Sequence, residues 1–131
     1  NYGAKMIGVG FKSTKLLLEH INNKGTIAMA VDQVPKNKNR QTANFFGNDC
    51  FTNSLISNIA KKTTCNVVYC SCTFGKDGYQ INVREVGDNF FSDDISESLK
   101  SMNKVLEEDI LDSPEQYAWE YKRFKGFIDY V

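Results

Sequence analysis

From Ile95 the apolar side chains return every three or four positions, at Leu99, Met102, Leu106 and Ile110, a stripe that an α-helix keeps on one side. Asp93 and Asp94 precede it, where carboxylates suit the positive end of a helix dipole. Pro114 stops it, because proline cannot continue the hydrogen-bonded spiral. A helix this long with one apolar side must be covered by other elements of the same core. The 131 residues are enough for one domain, and the whole span 1–131 is read as a single domain. The 41% hydrophobic and 24% charged fractions are those of a globular chain, which argues against disorder, collagen-like repeats and coiled coil.

The rest of the chain alternates between helical and strand patterns. Residues 66–73 (NVVYCSCT) read as a strand, 75–78 (GKDG) as a turn, and 79–86 as the returning strand. Tyr79, Ile81 and Val83 then lie on one face of that strand, with Gln80, Asn82 and Arg84 on the other. A first helix is expected from Ser13 or Thr14, carrying Leu17, Leu18 and Ile21 and closing at Lys24-Gly25. The apolar run 26–31 (TIAMAV) follows that stop and reads as a buried strand ending at Asp32-Gln33. Residues 34–44 read as a polar loop and Phe45-Phe46-Gly47 as the turn that ends it. A second helix is expected from Thr52 or Asn53 through Leu55, Ile56, Ile59 and Ala60 to Lys61-Lys62. Residues 2–9 suggest a short strand or leading loop. After Pro114 a last helix is expected, with Tyr117, Trp119, Tyr121 and Phe124. The order helix, strand, helix, hairpin, helix, helix places the chain in the α/β class, as a sheet covered by helices.

Charge and cysteine content narrow the function. Sixteen basic residues balance sixteen acidic ones, which disfavours a nucleic-acid partner, and no aromatic stacking motif of an RNA-binding sheet is present. No apolar run approaches the length that spans a bilayer, and no signal-peptide pattern follows Asn1. Cys50, Cys65, Cys70 and Cys72 fit no zinc spacing, and Cys70 and Cys72 are expected to point to opposite faces of a strand, out of reach of a mutual disulfide. All four are expected to be buried, reduced, small hydrophobes in a reducing compartment. No cofactor or metal is expected.

Catalytic patterns are sparse. His20 is the single histidine, near the end of the first helix, with nothing that pairs it to a nucleophile. Gly8-Val9-Gly10 lacks the rest of a dinucleotide fingerprint. Asp32-Gln33 is better placed, because ligands of α/β sheets gather beyond the carboxyl ends of strands. There Asp32 reads either as a base or substrate-orienting group, or as a carboxylate that binds loop amides. Lys36, Lys38 and Arg40 form one basic patch, and Lys122, Arg123 and Lys125, interleaved with Trp119, Tyr121 and Phe127, form another. Cations among interfacial aromatics suit phosphates at a membrane surface, or else a solvated loop and helix face.

The most specific string is 114–125 (PEQYAWEYKRFK). It resembles the closing signature of the bacterial lipid A biosynthesis lauroyl/myristoyl acyltransferases, P-E-Q-Y-x-W-x-x-[KR]-R-F-[KR]. Val31-Asp32-Gln33, a polar loop with Arg40, and Phe45-Phe46-Gly47 resemble the same family's D-Q…F-F-G segment. The resemblance implies an α/β chain with a mixed sheet flanked by helices, the C-terminal portion of a glycerol-phosphate-acyltransferase-like (lysophospholipid acyltransferase-like) enzyme. It implies transfer of a fatty acyl chain from acyl carrier protein to a hydroxyl of a lipid A precursor, at the cytoplasmic face of the bacterial inner membrane. The chain would lie there peripherally or be anchored by a segment outside these residues. Such enzymes carry a His-x4-Asp/Glu motif whose histidine is the general base. Here His20 is followed by Ile21, Asn22, Asn23, Lys24 and Gly25, so no catalytic role passes to it and the base is expected upstream of Asn1. The family's strand proline is also missing from Val67-Val68-Tyr69-Cys70. By the resemblance, Asp32 and Gln33 shape the floor of the transfer cleft, Arg40 holds a substrate phosphate and Phe45 and Phe46 line an apolar groove. Trp119, Lys122, Arg123 and Lys125 belong to the closing signature as substrate-binding positions, with packing of Tyr117 and Trp119 onto the sheet the competing role. The alternative function is a non-catalytic module of the same fold that binds anionic lipid or acyl carrier protein.

Overall fold

A computed structural model describes residues 3–8, 11–36 and 40–130. Lys38, part of the expected basic loop, lies outside them, as do Tyr2 and Val9. The elements run α1 (Phe11–Asn22), β1 (Arg40–Phe45), β2 (Asn48–Asn53), α2 (Leu55–Thr63), β3 (Val68–Gly75), β4 (Gly78–Glu85) and α3 (Ile95–Asp112). Single 3₁₀ turns stand at Asp88–Phe91 and Pro114–Gln116. The class is α/β, as expected, with strands arranged as two antiparallel hairpins, β1–β2 and β3–β4.

The helix with the apolar stripe organises the molecule. Asp94 caps α3, its carboxylate accepting from the Ser96 amide at 2.8 Å. Leu99 and Met102 join Ala43, Ala60 and Phe90 in one core cluster, and Leu106 and Ile110 join Phe45 and Cys50 in a second. Polar side chains on α3 set the position of both hairpins. Asn103 Nδ2 donates to the Asn44 carbonyl at 2.7 Å, and Glu107 Oε1 accepts from the Phe46 amide at 2.7 Å, which ties down β1–β2. Asp109, only 8% exposed, accepts from Tyr69 Oη at 3.2 Å, Ser71 Oγ at 2.9 Å and Arg84 Nε at 3.2 Å, which ties down β3–β4. Arg84 also pairs with Asp112, and its guanidinium pKa is raised chiefly by its hydrogen bonds to Asp112 and Asp109.

Asp109 decides which way the second hairpin faces. Tyr69, Ser71, Asn82 and Arg84 turn towards α3 and are partly buried, whereas Val68, Phe74, Tyr79, Ile81 and Val83 point outwards. Cys70 and Cys72 are exposed on that same outer face. This corrects two expectations: residues two apart on a strand share a face, so the thiols do not diverge, and of the four cysteines only Cys50 is fully buried.

Three further expectations need correction. In residues 26–31 Ile27, Met29 and Val31 are half-buried and Thr26, Ala28 and Ala30 exposed, the alternation of a strand, but they have no ladder partner among the described residues and so form no strand. The expected loop 34–44 instead contains β1, whose register with β2 runs from Arg40 opposite Asn53 to Phe45 opposite Asn48. Phe46 and Gly47 close that hairpin, both with positive φ (48° and 76°), the left-handed pair that a two-residue hairpin turn requires. The segment after Pro114 is no helix. It is a chain of single turns closed by local bonds such as Tyr121 N to Ala118 O at 3.0 Å and Lys125 N to Lys122 O at 3.1 Å. Residues 3–8 have no strand either.

Candidate functional site

The D-Q bend, the Phe-Phe-Gly turn and the closing segment are far apart in sequence and meet in space. Phe46 on the β1–β2 turn lies 6.1 Å, ring centre to ring centre, from Trp119, which stands 4.9 Å from Tyr117 in an edge-on arrangement. Phe45, fully buried, lies 5.9 Å from Phe124. Just past Asp32-Gln33, the Val34 amide donates to Tyr121 Oη at 2.7 Å. The result is an aromatic wall from the closing segment set against the end of the 26–31 run.

Arg123 is the clasp. It is 2% exposed, donates to the Phe51 carbonyl at 2.5 Å and to Thr52 Oγ1 at 3.0 Å, and lies 5.1 Å from the Phe45 ring centre. Its Nε has no partner among the described residues. A guanidinium so placed fastens a segment that lacks a ladder of its own to β2, because it serves two acceptors from one rigid fork. The arginine's position is thus interior. Lys122 and Lys125 are exposed, with Lys122 Nζ 5.3 Å from the Tyr130 ring centre.

Asp32 is half-buried and Gln33 exposed. The charge of Asp32 reaches two phenols, Tyr117 of the wall and Tyr69 of β3. Tyr117 is pushed up to about 12, first by burial and then by Asp32. Burial pushes Tyr69 up still further, with Asp109 as the second cause and a contribution from Asp32. Burial also raises the Cys50 thiol, and the Thr52 hydroxyl and Arg123 act in the opposite sense, so Cys50 is a core thiol and no nucleophile. Arg40 is exposed at the base of β1, its guanidinium 3.9 Å above the Phe51 ring, which in turn lies 4.6 Å from Phe127. Stacking of this kind leaves the in-plane donors of a guanidinium free for an oxyanion.

The structure brings Phe46, Trp119, Tyr117 and Tyr121 together with the bend after Asp32, whereas Arg40 stands at the other end of the β1–β2 hairpin, beside Phe51 and Phe127. The chemistry of these groups suits an amphiphile with an anionic head and does not by itself supply a proton acceptor and nucleophile pair. His20 is exposed on the last turn of α1 against Gly25, where an added Cβ would collide with its imidazole ring. Among the described residues no three metal-ligating side chains gather, and no helix is long and apolar enough to cross a membrane. Sequence reading missed the Tyr121 bond to the Val34 amide and the role of Asp109. Each joins residues at least 25 positions apart, and neither carries a local pattern.

The family model for bacterial lipid A biosynthesis acyltransferases matches residues 1–126. The chain belongs to that family, and with it to the acyltransferases of lipopolysaccharide biosynthesis. A comparison with curated proteins finds no match.

Proposed function

We propose that this chain forms the acceptor-binding part of an enzyme that moves a fatty acyl group from an acyl carrier protein thioester to a hydroxyl of a phosphorylated, acylated glucosamine disaccharide. In that reaction the hydroxyl oxygen attacks the thioester carbonyl carbon, the C–S bond breaks, and the hydroxyl proton ends on the departing thiol. Asp32 and Gln33 shape the floor beside the reacting hydroxyl. Arg40 holds a phosphate, Phe46 and Trp119 contact acyl chain, and Phe45 supports them from the core. Lys122 and Lys125 face the anionic headgroups of the cytoplasmic leaflet, and Arg123 holds the wall in place.

One observation carries this reading: the family's two motifs, separated by some seventy residues, close on each other through Phe46–Trp119 and Val34–Tyr121. The exposed aromatics Trp119, Tyr121, Phe127 and Tyr130 beside Lys122 and Lys125 support attachment at a membrane surface. The base belongs, on this proposal, to a His-x4-Asp/Glu motif preceding Asn1, since His20 has no carboxylate at that spacing. The test is acyl transfer to a lipid A precursor by these 131 residues and by a chain extended with its native upstream residues. Turnover by the extended chain alone is the expected result. Turnover by neither, with salt-sensitive binding of anionic vesicles by both, would instead establish the non-catalytic module.

A further inference from the structure

The outer face of the β3–β4 hairpin carries Val68, Phe74, Tyr79, Ile81 and Val83, each between 54 and 80% exposed, with Cys70 and Cys72 between them. The pairing places them in two rows: Cys70 opposite Val83, Cys72 opposite Ile81 and Phe74 opposite Tyr79. Phe74 and Tyr79 also touch edge-on at 5.1 Å, which extends the patch to the turn. Aromatic side chains offer roughly 150–250 Å² each, so this face presents on the order of 600 Å² of contiguous apolar surface. That is at or above the largest patch on a typical monomer and approaches the roughly 800 Å² per partner of a stable interface.

The surroundings select among occupants. Glu85 closes one end of the face, and Lys76 and Asp77 offset each other in the turn at the other. An anionic membrane would call for a basic rim, and a charged partner for a complementary field. A face that is apolar and carries no charge between its ends has nothing to repel its own copy, and a two-fold axis sets the same patch against itself. We propose that this face is the interface of a homodimer in which two β3–β4 hairpins pack face to face as sheets do, about 10 Å apart. Cys70, Cys72, Ile81 and Val83 then lie near the axis. The inference is independent of the acyl-transfer reading, since it uses none of that site's residues.

Sedimentation equilibrium of the chain tests it, beside Ile81→Lys and Val83→Lys. Both positions are solvent-exposed in one protomer, so the variants are expected to keep the far-ultraviolet circular dichroism of the native chain. The native chain should be a dimer at micromolar concentration, and each lysine should weaken association at least tenfold. Leu111→Lys, at an equally exposed leucine on α3, should leave it unchanged. A short bismaleimide should link native protomers through Cys70 or Cys72, but not the Cys70→Ser/Cys72→Ser variant. A monomer at high micromolar concentration overturns the proposal, as does a dimer that ignores both lysines. So does a monomer that binds neutral phosphatidylcholine vesicles in an Ile81-dependent way, which would give the face to lipid.

Discussion

Replacing Asp109 should detach the second hairpin from α3, and the size of the effect follows from what its carboxylate holds. Three donors converge on it: the Tyr69 and Ser71 hydroxyls and Arg84 Nε. A hydrogen bond to a charged group contributes about 1.5–3 kcal/mol, and a buried partner left unpaired adds its desolvation cost. Ser71 and Arg84 are only partly buried and recover water when Asp109 is lost, so the terms do not add in full. Asp109→Ala should therefore destabilise by about 3 kcal/mol. Asp109→Asn, which keeps one acceptor oxygen in place but no charge, should cost about 1–1.5 kcal/mol. Urea unfolding followed by tryptophan fluorescence and far-ultraviolet dichroism reads both. With a slope of about 1.5–2 kcal/mol per molar for a chain this size, the midpoint of Asp109→Ala falls by about 1.5–2 M. Arg84→Met made in the Asp109→Ala background should cost less than in the native chain, because one of its two carboxylate partners is already gone. An Asp109→Ala midpoint within about 0.5 M of native, no more than about a third of the expected shift, would refute the argument that this carboxylate sets the hairpin's orientation.

Alkaline pH should weaken the fold through the wall's phenols. The folded pKa of Tyr117 is raised to about 12, so its contribution is complete below about pH 10, the unfolded value, and is lost as pH rises from there to 12. Tyr117→Phe should flatten that loss in pH-dependent melts, and should match or exceed native stability at pH 7, because the Tyr117 hydroxyl is buried without a partner. Arg123→Ala should destabilise by about 2–3 kcal/mol in urea melts, with Arg123→Lys recovering less than half, since one ammonium cannot serve both Phe51 O and Thr52 Oγ1. Gly47→Ala should cost about 1 kcal/mol through its φ of 76° alone, as no atom crowds a Cβ there. Arg40→Ala in the active, extended enzyme should raise the acceptor KM about tenfold with little change in kcat, and should have no effect on an acceptor lacking its phosphates.

What the sequence made legible was local and periodic. The stripe from Ile95 to Ile110 marks α3, and the Lys76-Asp77 turn between two alternating runs marks the β3–β4 hairpin, because both patterns lie within single elements. The inward face of that hairpin was not legible. Alternation separates Tyr79, Ile81 and Val83 from Asn82 and Arg84, but the choice between faces rests on Asp109, a residue on another element. The β1–β2 hairpin was hidden for a different reason: RQTANF and NDCFTN are mostly polar, and Phe-Gly is an unusual left-handed turn pair, held by Glu107 and by Trp119 against Phe46. Residues 26–31 have the composition of a strand, yet a strand is a relation between two segments and the described residues supply only one. Pro114 at a helix-start position suggests a helix for the closing aromatics, whereas Tyr117, Trp119 and Tyr121 recur at every second position, which no α-helix keeps on one side. The site's parts were visible as motifs. Their meeting was not, because the bonds that join them span up to 87 positions.

The closing segment is built from single turns and fastened by side chains, with no ladder of its own. Its amides can therefore exchange with solvent through a local opening that leaves α3 and both hairpins intact. That opening releases Trp119 from Phe46 and Tyr121 from Val34 together, since Arg123 fastens both to the same strand. Native-state hydrogen exchange across 119–128 thus measures a gating equilibrium: the fraction of molecules whose wall is shut. A ligand that bridges the wall and the Asp32 bend would slow that exchange in proportion to its occupancy, so binding can be followed even where no turnover occurs.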